Sequence, residues 1–153
     1  MSIFNYAPII WMFCNKTTYE EITKVHKRLR VLLCDFQSNY EFLLQSTECK
    51  TVHETHLRFL LCEVFKSEKK LNPEFMQQVY VSKKIKYNLR NKVLISIPKA
   101  NSQRFGTQSF LFRGSLLWNQ IPETTKLETS LESFKSSIKK LNLSNICLCK
   151  ICT

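Results

Sequence analysis

The chain has 153 residues, 44% of them hydrophobic, and a formal net charge of +11. This length fits about one domain, and two glycines with four prolines exclude long flexible or low-complexity linkers. The longest apolar run, residues 7–14, is far below the roughly 20 residues of a spanning helix, and no Lys or Arg precedes it. We therefore expect no membrane contact and an intracellular location, cytoplasmic or nuclear, where the seven cysteines are free thiols or metal ligands.

Two helices are predicted at the start of the chain. The first runs from about residue 19 to residue 33, behind a Thr18-x-x-Glu21 capping box, and a short second helix opens at Ser38-x-x-Glu41. The apolar residues of the first helix recur at helical spacing: Ile22, Val25, Leu29 and Leu32 or Leu33. Its opposite face is basic, as on an ordinary amphipathic helix or on one that contacts phosphate.

Two further helices are predicted before residue 81. Thr51-x-x-Glu54 caps the longer one, and Asn72-Pro73 begins another that ends near Tyr80. The buried stripe of the longer helix is expected to be Leu57, Leu60, Leu61, Val64 and Phe65. Together the four helices predict an irregular bundle.

The pattern changes in the C-terminal half. Two or three short strands are predicted, at residues 93–97 and around Phe110–Phe112, followed by a brief helix that Pro122 stops. A last helix is predicted over residues 130–141. The expected fold class is mainly α, an irregular helical bundle, with a short two- to three-stranded β element in the C-terminal half, hence α+β overall.

The acidic residues are unevenly distributed, since none lies between Glu74 and Glu123. The expected nucleic-acid-binding residues of this stretch are Lys83, Lys84, Lys86, Tyr87, Arg90 and Lys92. The cations would contact phosphates and Tyr87 would stack on a base, whereas the other aromatic residues of the stretch are expected to pack in a core. A surface of one charge sign favours RNA or DNA as partner over a merely solubilising role.

Three thiols, Cys147, Cys149 and Cys152, lie within the last seven residues. Clustered cysteines on a basic chain are typical of zinc-assisted nucleic-acid contacts, so these three are candidate zinc ligands. A closed tetrahedral site needs a fourth ligand from elsewhere in the chain.

The carboxylates argue against catalysis by this chain. Asp35 is its only aspartate, whereas two-metal nucleotidyl transfer needs several converging carboxylates. His53 and His56 are three residues apart, which is not the zinc-protease spacing, and Cys49 precedes the predicted cap Thr51. An enzyme with a metal centre at these histidines therefore ranks third, behind a nucleic-acid-binding protein and an interaction module.

Nine short fragments are informative when they are taken in order. They are Tyr6-Ala-Pro-Ile-Ile-Trp-Met-Phe-Cys14, His26-Lys-Arg-Leu-Arg30, Tyr40-Glu-Phe-Leu-Leu44, Val52-His53, Tyr87-Asn-Leu-Arg-Asn91, Phe105-Gly-Thr-Gln-Ser-Phe110, Gly114-Ser-Leu-Leu-Trp118-Asn-Gln-Ile-Pro122, Phe134-Lys135 and the closing Cys-x-Cys-x-x-Cys. Together they resemble the region C-terminal to the polymerase core in non-LTR retrotransposon reverse transcriptases of animals.

The resemblance implies a piece that lacks the family's catalytic aspartates, which lie upstream in a Tyr-x-Asp-Asp setting. It implies the end of a thumb followed by a tail that helps to hold template RNA and target DNA. We accordingly expect a helical thumb-like segment (1–80), a basic segment with short strands and a terminal helix (81–141) and a cysteine-containing tail (142–153). The expected function is that of a non-catalytic C-terminal fragment of an RNA-directed DNA polymerase that binds nucleic acid. The alternative is an interaction module that docks an acidic protein or upstream polymerase domains.

Overall fold

A computed structural model describes residues 12–34, 39–46, 50–82, 93–102 and 106–143. These residues are mainly helical. The helices are α1 (Lys16–Cys34), α2 (Tyr40–Ser46), α3 (Val52–Glu68), α4 (Glu74–Gln77), α5 (Phe110–Gln120), α6 (Glu123–Lys126) and α7 (Leu131–Lys140). The chain forms two compact units that divide inside α3, between His56 and Leu57. In the described ranges no helix is long and apolar enough to cross a bilayer.

Helix α1 begins earlier than predicted because Asn15, and not Thr18, provides its N-terminal side-chain contact. The Asn15 Oδ1 atom accepts a hydrogen bond from the Thr18 backbone N–H at 2.8 Å. The predicted capping box at Thr18 and Glu21 is therefore wrong. Glu21 instead pairs with Lys24, one turn further along the exposed surface of the helix, at 2.8 Å.

Helix α3 begins as its sequence predicts. The Thr51 Oγ1 atom accepts a hydrogen bond from the Glu54 backbone N–H at 3.1 Å, and Glu54 places a negative charge in the first turn. The five residues of the predicted stripe are all buried: Leu57, Leu60, Leu61, Val64 and Phe65. The predicted cap thus identified the start of this helix, and the apolar pattern identified its buried face.

Helix α4 is a single turn and does not extend to Tyr80 as predicted. Asn72 does not cap it, since Pro73 occupies the N-cap position without a side-chain bond. The Asn72 amide instead donates to the Ser67 Oγ atom of α3 at 3.1 Å, and its backbone carbonyl accepts from the Gln77 side chain at 2.6 Å. Asn72 therefore ties the end of α3 to the following turn.

The predicted β element is wrong, and the fold is mainly α rather than α+β. Within the described ranges the β pairing consists of one isolated antiparallel bridge between Ser82 and Ile95. Phe110–Phe112, predicted as extended, form the first turn of α5, because the Ser109 side chain accepts a hydrogen bond from the Phe112 backbone N–H at 3.3 Å. A capping serine thus outweighs the β propensity of the aromatic residues that follow it.

The core of the second unit is built around three aromatic rings. Phe65 of α3 stacks on Phe134 of α7 with ring centroids 4.3 Å apart, and Trp118 of α5 lies 6.0 Å from Phe134. All three side chains are fully buried. Burial of each ring stabilises the fold by about 2–3 kcal/mol.

Helix α7 forms close to its predicted bounds, with Ser130 accepting a cap hydrogen bond from the Ser133 N–H at 3.1 Å.

The buried face of α1 differs from the one that the apolar spacing indicates. Val25, Leu29 and Leu32 are 47%, 41% and 56% exposed, whereas Tyr19 and His26 are buried. Tyr19 and His26 make polar contacts within the first unit, to α3 and α2 respectively. The aliphatic stripe of α1 therefore remains accessible.

Candidate nucleic-acid interface

The residues predicted to bind nucleic acid or metal lie outside the described residues. They are Lys83, Lys84, Lys86, Tyr87, Arg90 and Lys92 in the basic segment (residues 83–92), and Cys147, Cys149 and Cys152 in the tail. These assignments stay predictions. The described residues on both sides of the basic segment nevertheless establish where the chain enters and leaves it.

The residues that flank the basic segment on its two sides are hydrogen-bonded to each other. Ser82 and Ile95 form the antiparallel bridge, and the Ser96 backbone N–H donates to the Val81 carbonyl at 2.8 Å. The Ser82 hydroxyl also donates to a Glu68 carboxylate oxygen at 2.6 Å, at the end of α3. The segment that carries the predicted phosphate contacts thus starts and finishes at adjacent positions on the second unit.

Asn119 of α5 fixes one side of this bridge. Its Oδ1 atom accepts from the Ile95 backbone N–H and its Nδ2 atom donates to the Ile95 carbonyl, both at 2.9 Å. A primary amide presents one acceptor and two donors, so it can pair with both polar groups of one backbone residue as a neighbouring strand would. Ile95 itself is 1% exposed, so its backbone has little access to water as an alternative partner.

Lys126 supports the same region from within the protein. Its ammonium donates to the Asn119 backbone carbonyl, in the last turn of α5, at 3.2 Å. Burial lowers the pKa of Lys126, and the nearby Glu123 carboxylate opposes that shift. With its side chain fully buried, Lys126 stabilises the end of α5 and is not placed to contact a phosphate.

Two aromatic residues of the acid-free stretch, Tyr80 and Trp118, are buried in the second unit, as predicted, whereas Phe110 and Phe112 are half-buried. Tyr80 is 6% exposed and its hydroxyl donates to the Phe110 carbonyl at 3.1 Å, while burial raises the pKa of Tyr80. Trp118 is fully buried. These rings are therefore unavailable to stack on bases, which leaves that predicted role to Tyr87.

Helix α7 has exposed lysines that the sequence analysis did not include among the predicted nucleic-acid contacts. Lys135, Lys139 and Lys140 are exposed, and none of them forms a salt bridge with a described carboxylate. By contrast, four lysines elsewhere are paired with glutamates: Lys16, Lys24, Lys50 and Lys66. The amphipathic pattern of α7, with lysines opposite Phe134 and Ile138, was the signal that could have identified this surface.

Metal-ligating and nucleophilic side chains occur in the ranges that the structure describes. There, no three His, Cys, Asp or Glu side chains converge as a metal-binding group. Burial raises the pKa of the Cys62 thiol, which keeps it protonated in the core. Comparisons with family models, with curated proteins and with solved structures give no match to this chain.

The first unit contains a buried cluster of Tyr19, His53 and His56. The Tyr19 hydroxyl oxygen lies 3.5 Å from His53 Nδ1 and 3.4 Å from His56 Nδ1. The tyrosine ring meets both imidazoles edge-on, with centroid distances of 6.1 and 5.8 Å. Burial, and secondarily the nearby His53, lowers the pKa of His56 to about 4.

The lowered pKa of His56 predicts that acid destabilises the protein. Because the pKa of His56 falls from 6.5 in the unfolded chain to about 4 in the folded one, the unfolded state binds more protons between these values. The contribution of His56 to the free energy of unfolding is complete above pH 6.5 and is lost as the pH falls toward 4. Its magnitude is about 2 kcal/mol after the full shift is discounted for solvent screening. Urea unfolding in the presence of a chelator measures it. The variant His56→Gln should show a shallower decline over this range, and an equal slope would contradict the prediction.

Proposed function

We propose that this chain binds RNA or DNA without catalysing a reaction, as the C-terminal fragment of a retrotransposon RNA-directed DNA polymerase. The observation that carries the proposal is the absence of acidic residues between Glu74 and Glu123 in a chain of net charge +11. Phosphates are the most abundant polyanionic partners of such a surface. Zinc held by Cys147, Cys149 and Cys152 would order the tail as part of the same function.

The contacts around the basic segment support this function. Phosphate contacts gain from being presented together, because ordering a free chain on binding costs conformational entropy. The bridge between Ser82 and Ile95, held by Asn119, brings together the two described residues between which these cations lie in the sequence. The lysines of α7, which form no salt bridge with a described carboxylate, increase the positive potential of the second unit.

The proposal predicts steep salt dependence. Binding of the full chain to fluorescein-labelled single-stranded RNA, and to single- and double-stranded DNA of mixed sequence, is measured by anisotropy from 50 to 200 mM salt. With four to five phosphate contacts, we expect the affinity to fall by about a hundredfold or more over this range. Different sequences of one length should bind alike. An affinity that stays flat with salt contradicts the proposal.

A matched pair of variants tests whether the basic segment carries the binding. One variant replaces Lys83, Lys84, Lys86 and Arg90 with Gln, and the control replaces the ion-paired Lys16, Lys24, Lys50 and Lys66 with Gln. Both lose four positive charges. We expect the first to reduce the slope of log affinity against log salt by about 3 to 4 and the control to change it by less than about 1. Equal losses would mean that net charge alone drives binding.

The accessible stripe on α1 favours a second function, that of an interaction module. Val25, Leu29 and Leu32 lie on one face of the helix at four- and three-residue spacing and are all exposed. Apolar surface of this kind marks protein contacts. Upstream polymerase domains or an acidic protein would then be the partner. If the four-fold Gln variant of the basic segment keeps its RNA affinity but loses a protein contact, this second function is favoured.

The polymerase origin has a separate test. Sequencing the transcript and the genomic locus upstream of the Met1 codon should reveal an in-frame or lightly frameshifted stretch that encodes Tyr-x-Asp-Asp. A promoter with no polymerase remnant would contradict this origin while leaving the binding measurements valid.

A further inference from the structure

The Tyr19–His53–His56 cluster brings three potential metal ligands from two helices to one point in the first unit. Tyr19 lies in α1, and the two histidines lie three residues apart in the first turns of α3. The three side chains are buried, with 3%, 9% and 1% of their respective surfaces exposed. Their potential ligand atoms are the phenol oxygen of Tyr19 and the Nδ1 atoms of His53 and His56.

The separations of the Tyr19 oxygen from the two nitrogens are long for hydrogen bonds. A hydrogen bond between a hydroxyl oxygen and an imidazole nitrogen usually spans about 2.7–3.2 Å, and both Tyr19 contacts, at 3.4 and 3.5 Å, exceed that range. The same unit contains an ordinary histidine–tyrosine pair for comparison. His26 Nδ1 lies 3.1 Å from the Tyr40 hydroxyl, with the rings again edge-on at 86°.

The same separations fit the ligands of one metal ion. Two atoms that each lie about 2.0–2.1 Å from a tetrahedral zinc ion are about 3.3–3.4 Å apart. The Tyr19 oxygen stands at this distance from both imidazole nitrogens, within about 0.2 Å. Imidazole nitrogen with one oxygen ligand is a donor set that suits first-row divalent ions such as Zn²⁺, Co²⁺ and Cu²⁺.

We propose that Tyr19, His53 and His56 form a binding site for a divalent transition-metal ion. The ion is held by the two Nδ1 atoms and by the Tyr19 oxygen, which releases its proton to solvent on binding. Its structural consequence is a link between α1 and the start of α3. This site is independent of nucleic-acid binding and of the cysteine tail.

The experiment separates this site from the thiols. The full chain carrying Cys147→Ser, Cys149→Ser and Cys152→Ser is titrated with Co²⁺ and, separately, with Zn²⁺. We expect one equivalent of bound metal per chain by elemental analysis after dialysis. The Co²⁺ form should show visible d–d absorption without the near-ultraviolet thiolate charge-transfer band, because the ligands are nitrogen and oxygen. If binding disappears with the tail cysteines, the proposal is overturned.

Conservative variants in that background test the ligands. Tyr19→Phe retains the ring and removes only the oxygen, and it should weaken metal affinity by at least about tenfold, as should His56→Asn. Tyr40→Phe and His26→Asn alter the hydrogen-bonded pair and should leave the affinity unchanged. Circular dichroism establishes whether each variant is folded. If His56→Asn does not fold, Tyr19→Phe alone tests the ligand assignment. Equal affinities of Tyr19→Phe and Tyr40→Phe would overturn the assignment.

Discussion

We expect Gly114→Ala to destabilise the protein by about 3 kcal/mol. Alanine in the middle of a helix normally stabilises it by about 1 kcal/mol relative to glycine, so the expected sign is reversed. The reason is Tyr80, because a methyl group on Gly114 would overlap its hydroxyl and lie 2.9 Å from its Cζ atom. The ring has little room to move, since it is buried against Phe110 with its hydroxyl donating to the Phe110 carbonyl.

Urea unfolding followed by far-ultraviolet circular dichroism measures this change, and two variants control for it. Ser115→Ala alters the next residue of α5 and removes a buried hydroxyl that has no hydrogen-bond partner, so it should be neutral or stabilising. Tyr80→Phe should cost about 1 kcal/mol alone but should recover part of the loss when it is combined with Gly114→Ala. Strict additivity of the two changes would show that the hydroxyl is not the source of the clash.

The variant Asn119→Ala should also cost about 3 kcal/mol. It removes two hydrogen bonds of 2.9 Å and leaves the N–H and C=O groups of Ile95 buried without those partners. Because Ile95 forms the bridge at the ends of the basic segment, we also expect weaker nucleic-acid binding with an unchanged salt slope. This variant retains all the charges and changes only the contact that holds Ile95 at the bridge.

Substitutions of graded severity separate these effects. Asn119→Asp keeps the acceptor for the Ile95 N–H but loses the donor to the Ile95 carbonyl. If that donor contributes most of the stability, Asn119→Asp should destabilise the protein about as much as Asn119→Ala. Gln120→Ala changes the next, exposed residue of α5 and should alter stability by less than about 0.5 kcal/mol. If Asn119→Ala unfolds the protein no more readily than Gln120→Ala, the amide contact does not hold the bridge.

Prediction from sequence succeeded where a helix has a strong local signal. Thr51 caps its helix, the last helix lies close to its predicted bounds, and the stripe from Leu57 to Phe65 is buried, because capping and helical periodicity act within a few residues. The prediction of strands was wrong for a related reason. The β-branched run at residues 93–97 gains its partners from Asn119 and from the single bridge to Ser82, which no local pattern encodes.

The buried face of α1 illustrates the other limit. Aliphatic spacing favoured Val25, Leu29 and Leu32 for the interior, whereas the structure buries Tyr19 and His26. Burial of a tyrosine or histidine depends on a polar partner, and those partners lie far along the chain, as with His56 opposite Tyr19. The phosphate contacts rest on a charge run that is visible in the sequence, and they stay predictions, whereas the Tyr19–His53–His56 cluster could be recognised only from the fold.

The closure of the chain at Val81–Ser82 and Ile95–Ser96 has a consequence for how this protein can vary. These hydrogen bonds are formed by residues outside 83–92, so they do not depend on the number of residues that lie between them in the sequence. Lengthening a closed loop costs little, about 0.6 kcal/mol for each doubling. Insertions or deletions between residues 83 and 92 are thus a route by which related proteins could acquire different affinities on one unchanged scaffold.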